Sequence, residues 1–202
     1  MALEAIYIEQ EIIKEHVGSQ DQIAVAFGGF NKITFSGQHN IEVNPITLSK
    51  TRFQLFQNHL MLFFTGFSRL ASEIEEEKIK QISNKKSELS SLHNMVEEAI
   101  NILNEEGDIV DFGRLLHEGW KLKKALSDKV STIHIDDIYE TGIKNGAIGG
   151  KLLGAGGGGF MLFFVKPDNR NKLRQALGHL LHVPFRFDTT GSQIIYYSES
   201  GV

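Results

Sequence analysis

Eight of the twenty glycines in this 202-residue chain fall between Gly146 and Gly159, and four of them, Gly156–Gly159, are consecutive. Glycine carries an entropic cost of about 0.5–1 kcal/mol relative to alanine in regular structure, so such a run needs a physical reason. One reason is a tight crossing, where a neighbouring element packs against backbone that has no Cβ. The other is an anion-binding concavity made by successive N–H groups. Residue type alone leaves both open. Gly154, Gly156 and Gly159 spell G-x-G-x-x-G, but a dinucleotide fingerprint needs strand, loop and helix in that order. Here the predicted order is helix, loop, strand. The other phosphate loop, G-x-x-x-x-G-K-[ST], fails because Phe160 stands where its lysine belongs.

The pattern around the glycines predicts mixed helix and strand. Leu3, Ile6, Tyr7 and Glu11–Ile13 follow helical spacing, with no capping residue before them. Ile23–Phe27, Ile33–Phe35 and Ile41–Val43 read as a small meander, with Gly28-Gly29 and the cluster Ser36–Asn40 as turns. The run Leu60–Phe64 predicts a strand buried on both faces. Residues 70–86 are polar and helical, with Glu75–Glu77 on a solvated face. Three amphipathic stripes follow: Leu89 to Leu103, Phe112 to Leu126 with Asp111 as N-cap, and Ile135 to Ile143. Phe160–Val165 is a strand, and Leu173 to Leu181 a helix. Phe185–Phe187 and Gln193–Tyr197 close the chain as short strands.

Composition narrows the function classes. With 21 Lys+Arg against 25 Asp+Glu the formal charge is −4, which argues against a protein that coats nucleic acid or an anionic membrane. There is no cysteine, hence no disulfide framework, thiolate zinc site or cysteine nucleophile. The apolar runs fall far short of the roughly 18 residues of a membrane span. The first ten residues lack a signal-peptide pattern. A cytoplasmic protein is expected. His117-Glu118 begins like H-E-x-x-H, but Lys121 occupies the second ligand's place. His179 and His182 read as a partly buried helical pair without metal, and Trp120 as core.

The segment GGKLLGAGGGGFMLFF, from Gly149 to Phe164, resembles the third conserved motif of the GHMP small-molecule kinase superfamily, which also lies between helix and strand. GSQDQ followed by FGGFNKITF, then LMLFFTGFSRLASEI, LLHEGWKLKKALSDKVS and VPFRFDTTGSQII, resemble its sugar-1-kinase branch. The resemblance implies a two-layer α+β fold. Residues 1–68 would be the remainder of an N-terminal α/β domain, and residues 69–202 a ferredoxin-like C-terminal domain. The superfamily's sugar-binding first motif and ATP-wrapping second motif have no counterpart here, so the chain is expected to be the C-terminal three-fifths of such a kinase.

The activity implied is ATP- and Mg²⁺-dependent phosphorylation of the anomeric hydroxyl of a sugar phosphate, in particular D-glycero-D-manno-heptose 7-phosphate. The alternative is a non-catalytic fragment or partner-dependent half, unable to bind ATP alone. By the resemblance, Asp21 orients or deprotonates the accepting hydroxyl, and Glu9 holds Mg²⁺. Gln20, Gln22 and Arg69 contact the sugar phosphate, with Lys121 and Lys124 as further anion contacts. The backbone of Gly154, Gly156, Gly157 and Gly158 lines the site near the transferred phosphate. Association through an exposed apolar sheet edge is expected as well.

Overall fold

The computed structural model describes residues 1–15, 17–37, 40–66, 85–104, 107–154 and 157–196. Contacts divide the chain into two units, one of Met1–Thr47 with Arg186–Val202 and one of Leu48–Phe185. The boundary expected at residues 68 and 69, the predicted helix over most of residues 70–86 and its acidic triplet lie outside the described residues.

In the smaller unit, helix α1 (Ala2–Tyr7) runs on into a π-helical turn, Ile8–Ile12. Residues Ile23–Phe27, expected as a strand, belong instead to helix α2 (Gln20–Phe27). A short apolar run fits either period, and here the helical one won because Ile23 alone is buried while Val25 and Phe27 stay exposed. Strands β1 (Asn31–Ser36) and β2 (Asn40–Pro45) pair antiparallel as a hairpin, with Ile33 opposite Val43. The C-terminal segment closes on α2 without regular pairing: Gly29 N donates to Asp188 O at 3.1 Å, and Ser192 N to Val25 O at 3.0 Å. The short strands expected at Phe185–Phe187 and from Gln193 are therefore not formed. Residue 197 lies outside the described residues, and residues 185–187 and 193–196 are irregular.

The larger unit begins with α3 (Lys50–Asn58), whose N-cap Ser49 accepts from Arg52 N. Strand β3 (Leu60–Phe64) leads on to α4 (Lys86–Asn104), α5 (Val110–Ala125) and α6 (Ile133–Lys144). Then come β4 (Ala147–Leu152), β5 (Phe160–Val165), a 3₁₀ turn at Pro167–Asn169, α7 (Arg170–Ala176) and β6 (Leu181–Val183). The sheet order is β4-β5-β3-β6, and every neighbouring pair is antiparallel. With helices between β3 and β4 and between β5 and β6, this is the split βαβ arrangement of a ferredoxin-like domain. The α+β expectation holds.

The core follows from the two periodicities. Met61 and Phe63 face the same way as their cross-strand partners Phe163 and Met161. All four are buried with Trp120, Ile135, Ile138, Tyr139, Leu152 and Leu173. The other sheet face takes Phe164, which packs against Phe56, His59 and Phe112. Helix α5 is not capped by Asp111 as expected. Asp108 accepts from Val110 N at 2.9 Å, and Asp111 instead pairs with Arg114 on the exposed first turn. Two further expectations shift. The predicted helix to Leu181 stops at Ala176, and Leu181–Val183 pairs with β3 as an edge strand. Ala147–Leu152, taken as the start of the glycine loop, is a strand.

Candidate functional site: a glycine hairpin and an acidic helix start

The glycine cluster serves two purposes in two places. Gly149 lies in β4 where α5 crosses it; a Cβ there would overlap the carbonyl oxygen of Gly113 and crowd His117. That half is a packing device. The order around the cluster is thus strand, loop, strand, since the loop from Leu153 to Gly159 is the turn of the β4–β5 hairpin. In that turn Gly154, Gly157 and Gly159 have φ of +82°, +73° and +113°, the left-handed region that only glycine adopts without strain. Nothing lies within 4 Å of where a Gly154 Cβ would stand, so the turn is open at Gly154, whereas Gly157 and Gly158 are buried.

The turn is tied at several points. Leu153 N donates to Phe160 O at 2.8 Å, and Gly157 N to Val130 O at 3.1 Å. Thr65, buried at the end of β3, brackets Gly159: its N and Oγ1 donate to Gly159 O, and Gly159 N donates back to Oγ1 at 3.0 Å. Lys123, in the last turn of α5, points its ammonium at the carbonyls of Gly154 (2.7 Å) and Leu152 (3.4 Å). Of the expected backbone donors, Gly157 N–H is therefore spent inside the fold. Gly154 and Gly158 N–H carry no bond among the described residues. Gly156 lies outside the described residues. Gly158 is buried, so the exposed Gly154 N–H is the donor that suits a phosphoryl oxygen.

In the smaller unit, Asp21 lies in the first turn of α2, exposed, rather than at the mouth of a strand. A carboxylate at a helix start is electrostatically favoured there. Gln22, half-buried beside it, donates through Nε2 to Glu9 Oε2, and its Oε1 is buried with no partner. Gln10 donates to Val17 O at 2.9 Å and to Ser19 Oγ at 3.2 Å, fixing the turn that leads into Asp21. Gln20 is exposed in the same first turn. Four of the expected residues, Glu9, Gln20, Asp21 and Gln22, thus share one junction between two helices. Among the described residues no group of three or more His, Asp or Glu could hold a metal ion. The single carboxylate Glu9, engaged on one oxygen, fits Mg²⁺ chemistry in which nucleotide phosphates complete the shell. Arg69 lies outside the described residues.

The remaining cations sort differently from expectation. Lys121 pairs with Glu118 and Lys124 with Asp136, each at 2.9 Å, so neither is a free anion contact. Lys123, between them, went unnoticed in the sequence, although it falls three residues after the buried Trp120 and hence on the inward stripe. Lys151, in β4, is held below the usual lysine range by burial. His117 Nδ1 lies 2.6 Å from Tyr139 Oη, and burial pushes that phenol above its usual range. His182 is on β6 against the Phe63 ring, not on a helix with His179. A cavity of about 430 Å³ lined by Arg52, His59, Asp108 and Lys166 lies in the larger unit. Its Arg52 is already committed to the carbonyls of Ile102 and Leu103 at the end of α4 and of Gly107 beyond it.

In the larger unit the glycine hairpin joins the edge strand β4 to the middle strand β5 of a ferredoxin-like sheet. Residues 92–182 match the family described as GHMP kinases C terminal, so the chain carries a GHMP kinase C-terminal domain. It is 38% identical over 176 residues to the D-glycero-alpha-D-manno-heptose 7-phosphate kinase of Campylobacter jejuni, covering 86% of this chain and 51% of that protein. The crystal structure of a D-glycero-D-manno-heptose 1-phosphate kinase from Bacteroides thetaiotaomicron superposes with a TM-score of 0.64 at 26% identity, over 98% of this chain and 55% of that one. The galactokinase of Thermococcus kodakarensis is 27% identical over 89% of this chain and 57% of its own length. The chain spans about half the length of these relatives. Among the described residues no helix is long and apolar enough to cross a membrane.

Proposed function

We propose that this chain supplies the acceptor-side aspartate and the glycine hairpin of an ATP- and Mg²⁺-dependent sugar kinase. Its substrate would be the anomeric hydroxyl of a sugar phosphate, D-glycero-D-manno-heptose 7-phosphate before others. The observation that carries this reading is the 38% identity to a protein of that name across 86% of the chain. The exposed Asp21 and the exposed, unbonded Gly154 N–H are chemistry such a reaction can use. ATP supplies the phosphoryl group and Mg²⁺ offsets its charge. Asp21 orients the sugar hydroxyl and takes its proton as the new O–P bond forms and the bond to the ADP leaving group breaks. Gln22 Oε1, buried without a donor, would accept from a sugar hydroxyl, as would the exposed Gln20. Glu9 would hold the metal, and Arg69 would meet the substrate phosphate as a bidentate donor.

A second reading keeps the sugar-phosphate site but makes ATP chemistry depend on another polypeptide. Its support is that the chain spans only 51% of the Campylobacter relative. One experiment separates the two. ADP release is followed with the purified 202-residue chain on D-glycero-D-manno-heptose 7-phosphate, galactose and mevalonate. Turnover on the heptose phosphate alone supports the kinase. Sugar-phosphate binding by calorimetry without ADP release supports the second reading, and neither signal overturns both. A cytoplasmic location belongs to the same proposal, supported by the absence of cysteine from the sequence. So does self-association, expected through a sheet edge; the exposed apolar residues that support it, Leu3, Tyr7, Ile12 and Phe27, stand on the helical segments of the smaller unit instead. Light scattering should then report species above 22.6 kDa, and a monodisperse monomer would count against it.

A further inference from the structure

We propose that Lys123 is a positioning residue of the glycine hairpin: clamped on the carbonyls of Leu152 and Gly154, it holds the turn in the shape that leaves the exposed Gly154 N–H free for an anion. The inference rests on the kinase reading only in taking that anion to be a phosphoryl group. The far limb of the turn is held independently, through Gly157 on Val130 O and Gly159 on Thr65. The near limb, Leu153 and Gly154, has one backbone bond among the described residues, Leu153 N to Phe160 O. It also has the Lys123 ammonium. Gly154 sits in open space at φ +82°, and a glycine so placed has many conformations to choose from.

The ammonium chooses among them in two ways. It supplies charge-assisted hydrogen bonds, roughly twice as strong as neutral ones. It also turns the carbonyls of Leu152 and Gly154 toward itself, so their negative ends are occupied at the place where an anion would otherwise meet them. Its own position is fixed from below, because Trp120, one turn earlier on α5, is 1% exposed in the core. Neighbouring lysines cannot substitute, since Lys121 is bound to Glu118 and Lys124 to Asp136.

The test compares Lys123→Met, Lys123→Arg and Lys121→Met in the 202-residue chain by amide hydrogen exchange, with ATP titrated in parallel. Loss of a charge-assisted bond corresponds to about tenfold faster opening. Exchange in peptides covering residues 152–160 should therefore rise about tenfold in Lys123→Met, with α6 and β3 peptides unchanged. Lys123→Arg should restore most of the protection and Lys121→Met should match the parent. In any preparation competent for phosphoryl transfer, KM for ATP should rise more than kcat falls. Parent-like exchange in the hairpin of Lys123→Met, or a uniform rise across the whole unit, would overturn the assignment. If the parent chain binds no ATP, the kinase reading fails at that point while the exchange data still decide the role of Lys123.

Discussion

In the unit of Leu48–Phe185, Phe63, Phe163, Trp120 and Ile135 are fully buried around one sheet, and the glycine hairpin leaves that sheet tied by backbone and side chain. In the unit of Met1–Thr47 and Arg186–Val202, Ile23 is the one buried residue among those described. Leu3, Tyr7, Ile8, Ile12, Ile13, Val25 and Phe27 face outward. The two candidate half-sites therefore stand on different foundations. The hairpin is built on close packing, where local changes propagate into stability. Asp21 is built on short helices held by Gln10 and Gln22 hydrogen bonds, beside several exposed apolar side chains.

The comparison predicts that function and stability can be broken separately. The largest effect is expected at Asp21. Asp21→Asn removes an exposed carboxylate, so folding should be unaffected, while kcat in a competent preparation falls by about 10²–10⁴ if Asp21 handles the acceptor proton. Turnover close to the parent's would take Asp21 out of the reaction. Next comes the core. Phe163→Ala deletes a fully buried ring that touches Phe63 and Tyr139, at a cost of about 3–5 kcal/mol by urea denaturation. Phe27→Ala, at 56% exposure, should cost no more than about 0.5 kcal/mol. A large loss at Phe27 would show that its surface is covered in solution, and would sharpen the case for association.

The same contrast explains what could be read from the sequence. The three long helices and Trp120 were legible because a 3.6-residue stripe over several turns has one solution, burial against a sheet. Met161–Val165 and Met61–Phe63 were legible as continuous apolar runs. Strand β4 was not, because Gly149 and Gly150 carry no β-forming side chain: Gly149 makes room for the crossing helix α5, and Gly150 for Leu162 and Phe163 of β5. Nor was α2, whose apolar run is too short to declare a period, nor β6, whose leucines continue the stripe of α7. At the site, residue type pointed to the glycine turn and to Asp21, Gln22 and Glu9 through resemblance. The division of labour among the lysines of Lys121–Lys124 depended on partners at Glu118, Leu152, Gly154 and Asp136. The last three are distant in sequence, and no spacing rule reveals them.

The smallest expected effect concerns pH, and it too falls on the packed unit. His182 lies against the Phe63 ring, and burial together with Arg174 and Arg170 holds its imidazole below the usual range. Below about pH 6.5 the unfolded chain takes up a proton that the folded unit resists, so the unfolded state binds more protons and stability falls as pH falls. The stabilising contribution is fully present above that value and is lost as pH descends through the lowered folded pKa. Thermal unfolding followed between pH 7.5 and 5, conditions chosen to bracket the ordinary histidine value of about 6.5, should show a declining Tm. His182→Gln should flatten that decline without a comparable change at the upper end. An unchanged slope would assign the acid sensitivity to other groups and leave β6 as a passive edge. A flattened one would show that the edge strand next to β3 carries a titrating contact of a kind absent from the smaller unit, where Ile23 is the one buried residue among those described.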